Sequence, residues 1–229
     1  YLRGKMLKGI GGFILLGILL FVLVFNTHVT LLGSGFLIGD GEYVFTYHDL
    51  VKEAETLTVK FPNEDDIETE VVYSDSVSNL AILKLKEMPK IKRLPLAISQ
   101  NGLGAISESV FTLGYPWTNT LQDQHLLIEG STGTSSMLVE LKMPLDPVHS
   151  GSPLFNTRQE VVGMVLLEDH AKAAFPVKGS HHFAIPSSLL IKALKAAKID
   201  ISTHPVENFS TRNEFIVKSR NNIVLIEAR

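Results

Sequence analysis

From Val29 onward the sequence is cut into short apolar or alternating runs, each closed by a turn signal. The runs are Gly35-Phe36-Leu37-Ile38, Tyr43-Val44-Phe45, Leu57-Thr58-Val59-Lys60-Phe61 and Glu70-Val71-Val72-Tyr73. Further along come Ala81-Ile82-Leu83-Lys84-Leu85, Val110-Phe111-Thr112-Leu113, Met137-Leu138-Val139-Glu140-Leu141 and Val161-Val162-Gly163-Met164-Val165-Leu166. Gly39-Asp40-Gly41, Pro62-Asn63 and Asn101-Gly102 punctuate them. Short strands at this spacing predict a barrel or sandwich and exclude βαβ units. One helix is expected in this region, Pro186 to Lys198. Leu190, Leu194 and Ala197 recur there at helical spacing, Ser187 or Ser188 can cap the start, and Lys195 and Lys198 suit the C-terminal dipole. The polar, proline-bearing stretch Lys86–Pro95 marks a seam between two strand sets. Residues 199–229 form a C-terminal extension with an expected hairpin over 213–227, pairing Phe215-Ile216-Val217-Lys218 with Ile223-Val224-Leu225-Ile226 across Arg220-Asn221-Asn222.

A hydrophobic content of 45 % gives a mean hydropathy of +0.19, and the excess sits at the N-terminal end. Gly9 to Phe25 carries no charge and as a helix spans roughly 26 Å, near the short limit for crossing a bilayer. Arg3, Lys5 and Lys8 precede it, which predicts an inside N-terminus and an exported remainder. A cleaved signal peptide needs a small-x-small site, and Asn26-Thr27-His28-Val29 offers none. A buried core helix is the other alternative. The expectation is a single-pass membrane anchor over residues 1–28, in the bacterial inner membrane. A net charge of −3 and a pI of about 6.3 argue against a nucleic-acid partner. With no cysteine, a disulfide framework, a thiol nucleophile and thiolate-held zinc are excluded. No cofactor is expected. Asn208-Phe209-Ser210 spells a glycosylation sequon, a tripeptide too common to weigh.

His149-Ser150-Gly151-Ser152-Pro153-Leu154 lies on a turn before a strand. A serine nucleophile wants such a place, because a tight glycine-bearing turn exposes the hydroxyl and aims backbone N–H groups at an oxyanion. This stretch resembles the GNSGGPL motif of trypsin-like serine proteases, in particular their HtrA/Deg branch. Five other segments resemble the same family in the same order, from Gly33 to Lys192. Gly33-Ser34-Gly35-Phe36-Leu37-Ile38 looks like GSGFII, and Tyr43-Val44-Phe45-Thr46-Tyr47-His48-Asp49-Leu50-Val51 like YVLTNNHVV. Ser78-Asn79-Leu80-Ala81-Ile82-Leu83-Lys84 looks like TDLAVLK, Gly114-Tyr115-Pro116 like GYP, and Phe183-Ala184-Ile185-Pro186 like FAIP. The resemblance implies a mainly β fold: two six-stranded antiparallel barrels over residues 29–198, packed face to face with Ser150 in the cleft wall, and a helix at the end.

The catalytic letters depart from the family. Aligned without gaps, the base position holds Asp49, with His48 one residue early, and the orienting aspartate position holds Asn79. Ser150 keeps the nucleophile position. The glycine that helps build the oxyanion hole is Val148, and a β-branched residue resists the backbone conformations glycine permits. An ordinary aspartate, with a pKa of about 3.9, is a poor base at pH 7. Asn in place of the orienting aspartate costs about 10⁴ in turnover in the template triad, and a lost oxyanion donor roughly 10²–10³. An inactive protease-like domain is therefore expected, binding or scaffolding within an envelope complex on the periplasmic side, with the 213–227 hairpin offering an edge for strand addition. The residues after the helix are too few for the PDZ module such relatives carry. Two alternatives stay open. One is an active serine endopeptidase using Ser150 with His48 as base; no aspartate stands at Asn79 to orient it, though Asp75 lies four residues earlier. The other is a metal-binding domain using His48, Asp49 and His149, although neighbours on a strand point to opposite faces. His181-His182 falls in the family's substrate-pocket wall.

Overall fold

Strands form where the short apolar runs lie, and they close two barrels. The computed structural model describes residues 30–61, 64–91, 96–103, 106–114, 126–135, 137–146, 149–167, 182–201 and 209–229. Five strands come first: β1 (Leu31–Ile38), β2 (Tyr43–Thr46), β3 (Leu57–Lys60), β4 (Ile67–Asp75) and β5 (Leu80–Leu85). Six more follow the seam: β6 (Ser109–Gly114), β7 (Leu126–Ser135), β8 (Val139–Lys142), β9 (Pro153–Asn156), β10 (Val161–Leu167) and β11 (His182–Pro186). The last strand is β12 (Ile223–Ala228). The helices among the described residues are α1 (His48–Val51), α2 (Ser187–Ala197) and α3 (Arg212–Ser219), the last running into a 3₁₀ turn at Arg220–Asn222.

Both barrels are closed and antiparallel, in the orders β1-β12-β3-β4-β5-β2 and β10-β11-β8-β7-β6-β9. Read as rings, the two orders are the same if β12 is given the place of a first strand ahead of β1. The first barrel therefore takes its opening strand from beyond the second barrel. The run Gly9–Phe25 is continuously apolar and has no strand alternation. Leu31 pairs with Ala228 and Phe36 with Ile223 on one edge of β12, while Lys60 pairs with Leu225 and Leu57 with Ala228 on the other.

This arrangement corrects the expected hairpin over 213–227. Phe215-Ile216-Val217-Lys218 is helical, and Ile223–Ala228 is an internal barrel strand paired on both edges, so it offers none for strand addition. Thr211 decides the first half: its hydroxyl oxygen accepts the Glu214 N–H at 3.2 Å and caps α3. The spelling Thr211-Arg212-Asn213-Glu214 is a capping-box signature that the β-branched run after it obscures. Tertiary packing completes the choice. Phe215 is buried and meets Phe111 and Phe155 edge-on at 6.2 and 5.1 Å, while those two rings stack at 5.2 Å. Residues 199–229 are thus no appended extension but carry one of the barrel strands.

Helix α2 falls within the expected span, but Pro186 is its N-cap residue and makes no side-chain cap. The Ser187 hydroxyl instead donates to the Ser99 carbonyl at 2.7 Å. Among the described residues no helix is long and apolar enough to cross a membrane. The anchor expected over residues 1–28 lies outside the described residues, as do Pro62-Asn63, Tyr115-Pro116, Val148, His181, Asn208 and residues 92–95 of the seam.

Candidate functional site

The Ser150 turn is built where the two barrels meet. Gly151 has φ +93°, and a Cβ there would lie 1.9 Å from the Ser34 carbonyl oxygen, so the position admits only glycine. The Ser34 N–H donates to the Ser150 carbonyl at 3.0 Å, and the Thr46 hydroxyl donates to the Ser34 carbonyl at the same distance. Gly151 N–H is taken by the Val165 carbonyl at 2.9 Å. These ties tilt the serine inward. Ser150 is 0 % exposed, and its hydroxyl oxygen accepts the Leu167 N–H at 3.1 Å. No imidazole or carboxylate among the described residues hydrogen-bonds that hydroxyl.

Across the site, Asp49 and Asn79 form a reciprocal pair. The Asp49 N–H donates to Asn79 Oδ1 at 3.0 Å, and Asn79 Nδ2 donates to Asp49 Oδ2 at 3.1 Å. Asn79 is 1 % exposed with φ +50°, a left-handed backbone that asparagine tolerates, and its carbonyl accepts the His48 N–H at 3.2 Å. Lys52 donates to the other Asp49 oxygen at 2.9 Å. Both carboxylate oxygens are therefore occupied. The structure places Asp49 and Asn79 side by side, as the alignment has base and orienter, but with the polarity inverted: the amide donates and the carboxylate accepts.

The His48 ring is engaged by Ser74. His48 to Val51 is a helical turn, not strand, with Leu50 and Val51 buried and Asp49 in its first turn. Successive helical residues stand about 100° apart, and His48 turns outward, where Nδ1 and the Ser74 hydroxyl are hydrogen-bonded at 2.7 Å. Asp75, four residues before Asn79, is engaged by the Ser78 hydroxyl at 2.6 Å and the Val77 N–H at 3.0 Å. Those two donors, the Ser78 hydroxyl foremost, hold its pKa below the usual carboxylate range. Among the described residues no group of three or more histidines or carboxylates could hold a metal ion. His48, Asp49 and His149 each have separate surroundings.

His149 is 0 % exposed beside the nucleophile position. Its Nδ1 lies 3.1 Å from both the backbone nitrogen and the carbonyl oxygen of Asp146. Nε2 and the Ser152 hydroxyl are buried with no hydrogen-bond partner among the described residues. Gly114 makes the room, since a Cβ there would lie 2.4 Å from His149 Cδ2. Burial pushes the imidazole pKa down; the Asp146 backbone and then its carboxylate oppose this, and His182 adds to it weakly. The unfolded chain then binds the proton more readily, so stability is complete above the ordinary histidine pKa of about 6.5 and is lost as pH falls through and below it. Urea midpoints are expected to drop between pH 7.5 and pH 5.5, and His149→Asn is expected to flatten that slope.

Sequence reasoning found Ser150, Asp49, Asn79 and His48 but not Lys52, Ser74 or the Leu167 N–H. Lys52 was within reach, three residues after Asp49 on a helical turn. Ser74 and Leu167 enter only through strand register.

Known proteins show the same architecture. The family model for the trypsin-like peptidase domain matches residues 33–164. A Pseudomonas putida protein described as "Probable periplasmic serine endoprotease DegP-like" is 27 % identical over 140 residues, 58 % of this chain and 28 % of that protein. A protein of the same description from Ectopseudomonas mendocina is 26 % identical over 179 residues, covering 74 % of this chain and 35 % of that one. The match thus spans about a third or less of these curated relatives' length. A crystal structure of the serine endoprotease from Yersinia pestis superposes with a TM-score of 0.57 at 24 % identity, covering 72 % of this chain and 57 % of that one.

Proposed function

Since the chain belongs to the trypsin-like peptidase family, we propose that it is a member without peptidase activity, serving as a binding or scaffolding subunit at a bacterial envelope membrane. One observation carries the reading: the Ser150 hydroxyl is buried and engaged by the Leu167 N–H, while the residues aligned with base and orienter, Asp49 and Asn79, are hydrogen-bonded to each other. A serine hydroxyl attacks only when a base takes its proton. Asp49 has both oxygens committed to Lys52 and Asn79, and His48 faces Ser74. Asn79 in turn has no charge with which to stabilise an imidazolium.

The periplasmic description of the relatives supports an extracytoplasmic place for the barrels. The charge-free Gly9–Phe25 run behind Arg3, Lys5 and Lys8 supports an anchor with its N-terminus inside. Few residues separate Phe25 from β1 at Leu31, a short tether that suits a fixed subunit better than a roaming protease. The test is hydrolysis of unfolded casein by the purified full-length chain. The wild type and Ser150→Ala are expected to be indistinguishable, and Ser150→Ala is expected to keep the biological role. Cleavage by the wild type that Ser150→Ala abolishes would establish the active endopeptidase instead.

A further inference from the structure

β4 runs on past the strand beside it. Thr58 and Val59 of β3 pair with Glu68 and Ile67, whereas β5 pairs with β4 as far as Asp75. The β3 register would bring Glu55 opposite Val71. The chain leaves β4 before that point, because the Arg229 carbonyl takes the Glu55 and Thr56 N–H groups at 2.6 and 2.9 Å. From Glu70 to Tyr73 no strand among the described residues lies along this second edge. The Thr69 hydroxyl on the Leu57 carbonyl bounds the gap at one end, and the Ser74 contact with His48 at the other. Alternation tells which groups the edge presents. The Leu85 N–H points to β2, where the Glu42 carbonyl takes it at 2.9 Å, and the Glu68 carbonyl takes the Lys86 N–H at 3.0 Å. Glu68 and Glu70 therefore turn their backbone groups to β5, and Val71 turns its N–H and C=O outward. At the same place Val71 is 42 % and Val72 39 % exposed, on the bulge between Val71 and Tyr73. Glu55 and Glu70 are exposed and make no ion pair among the described residues.

We propose that the Glu70–Tyr73 edge of β4 receives an extended segment of a partner protein as an added strand, one in which cationic side chains alternate with apolar ones. The open ladder selects an extended backbone. The bare valines select apolar neighbours, and Glu55 and Glu70 select lysine or arginine. The same charges disfavour a second copy of this chain, since two β4 edges brought together set Glu68 and Glu70 of one against those of the other. The proposal names a surface for the binding role given above and rests on that role, but not on the state of Ser150.

Calorimetric titration of the full-length chain with N-acetyl-Thr-Lys-Val-Lys-Val-Thr-amide is the experiment, beside the same peptide with glutamate for lysine and two N-methylated forms. The lysine peptide is expected to bind, and the glutamate peptide to bind about tenfold more weakly or not at all. Successive amides of a strand point to opposite edges, so methylating the lysine amides and methylating the valine amides must differ. One is expected to abolish binding and the other to be tolerated. A merely electrostatic attraction to the acidic barrel passes the first test and fails this one. Glu70→Lys is expected to weaken the lysine peptide by about fivefold and to tighten the glutamate peptide by a similar factor, the size of a cross-strand charge pair. Its site is exposed, so the urea midpoint should not move. No binding of the lysine peptide, equal binding of the two peptides, equal effects of the two methylations or indifference to Glu70→Lys would each overturn the proposal. A dimer of the chain that Val72→Lys dissolves would do the same, assigning the edge to a second copy. None of these results bears on casein cleavage, so this proposal and the absence of peptidase activity fail separately.

Discussion

Removing Ile223 to Arg229 is expected to abolish cooperative folding of the barrels, although it leaves every motif of the Ser150 site in place. β12 sits between β1 and β3, and without it both lose a hydrogen-bonded neighbour along their length. Ile223, Val224 and Ile226 are fully buried, and each such side chain contributes about 1.5–3 kcal/mol by leaving water. Their sum is comparable with the whole margin of about 5–15 kcal/mol that holds a domain folded. The damage also reaches the site, because β1 carries Ser34, whose N–H holds the Ser150 carbonyl. The truncated chain should show no urea transition in near-ultraviolet circular dichroism. Ile226→Ala, a milder test, should lower stability by about 2–4 kcal/mol. A truncated chain that unfolds cooperatively near the full-length midpoint would mean that β12 is dispensable to the first barrel.

Asn79→Asp is expected to destabilise the protein by about 2–3 kcal/mol at pH 7, and Asp49→His added to it is expected to recover most of the loss. The single change turns a 3.1 Å amide-to-carboxylate hydrogen bond into two facing carboxylates, at a position 1 % exposed. Aspartate tolerates the left-handed backbone much as asparagine does, so the cost is electrostatic. It should shrink as pH falls, because one shared proton relieves a carboxylate pair. Asp49→His combined with Asn79→Asp restores opposite partners across the same geometry. A double-mutant cycle of urea midpoints measures the coupling, expected to exceed about 1.5 kcal/mol in magnitude, within the usual range for contacting pairs. Additive effects would show that the pair is not an energetic unit.

Much of this was legible in the residues themselves. The short runs predicted two strand sets, and the ordered motifs predicted two antiparallel barrels. The source of the first barrel's opening strand was not legible. Phe215-Ile216-Val217 is β-branched and aromatic, and only the Thr211 cap and the Phe111–Phe155 seat turn it into helix. Alternation within Ile223–Ala228 indicated a strand but could not say which strands it joins, since pairing across the whole chain leaves no local mark. The inward set of Ser150 was hidden for the same reason. Its motif spells an exposed hydroxyl, while Leu167, a β10 residue, supplies the N–H that holds it. His48 hid in another way: its strand-like spelling gives no sign that it opens a helical turn pinned to Asn79 through two backbone N–H groups.

The central claim, that Ser150 is not an activated nucleophile, is tested most directly by a fluorophosphonate probe on the purified full-length chain, with the adduct located by peptide mass spectrometry. The account predicts no labelling at Ser150 above that of the Ser150→Ala variant, at pH 7 and at pH 8.5. Rapid labelling at Ser150 that disappears in His48→Ala would contradict it, and would mean that the serine leaves Leu167 and takes His48 as its base.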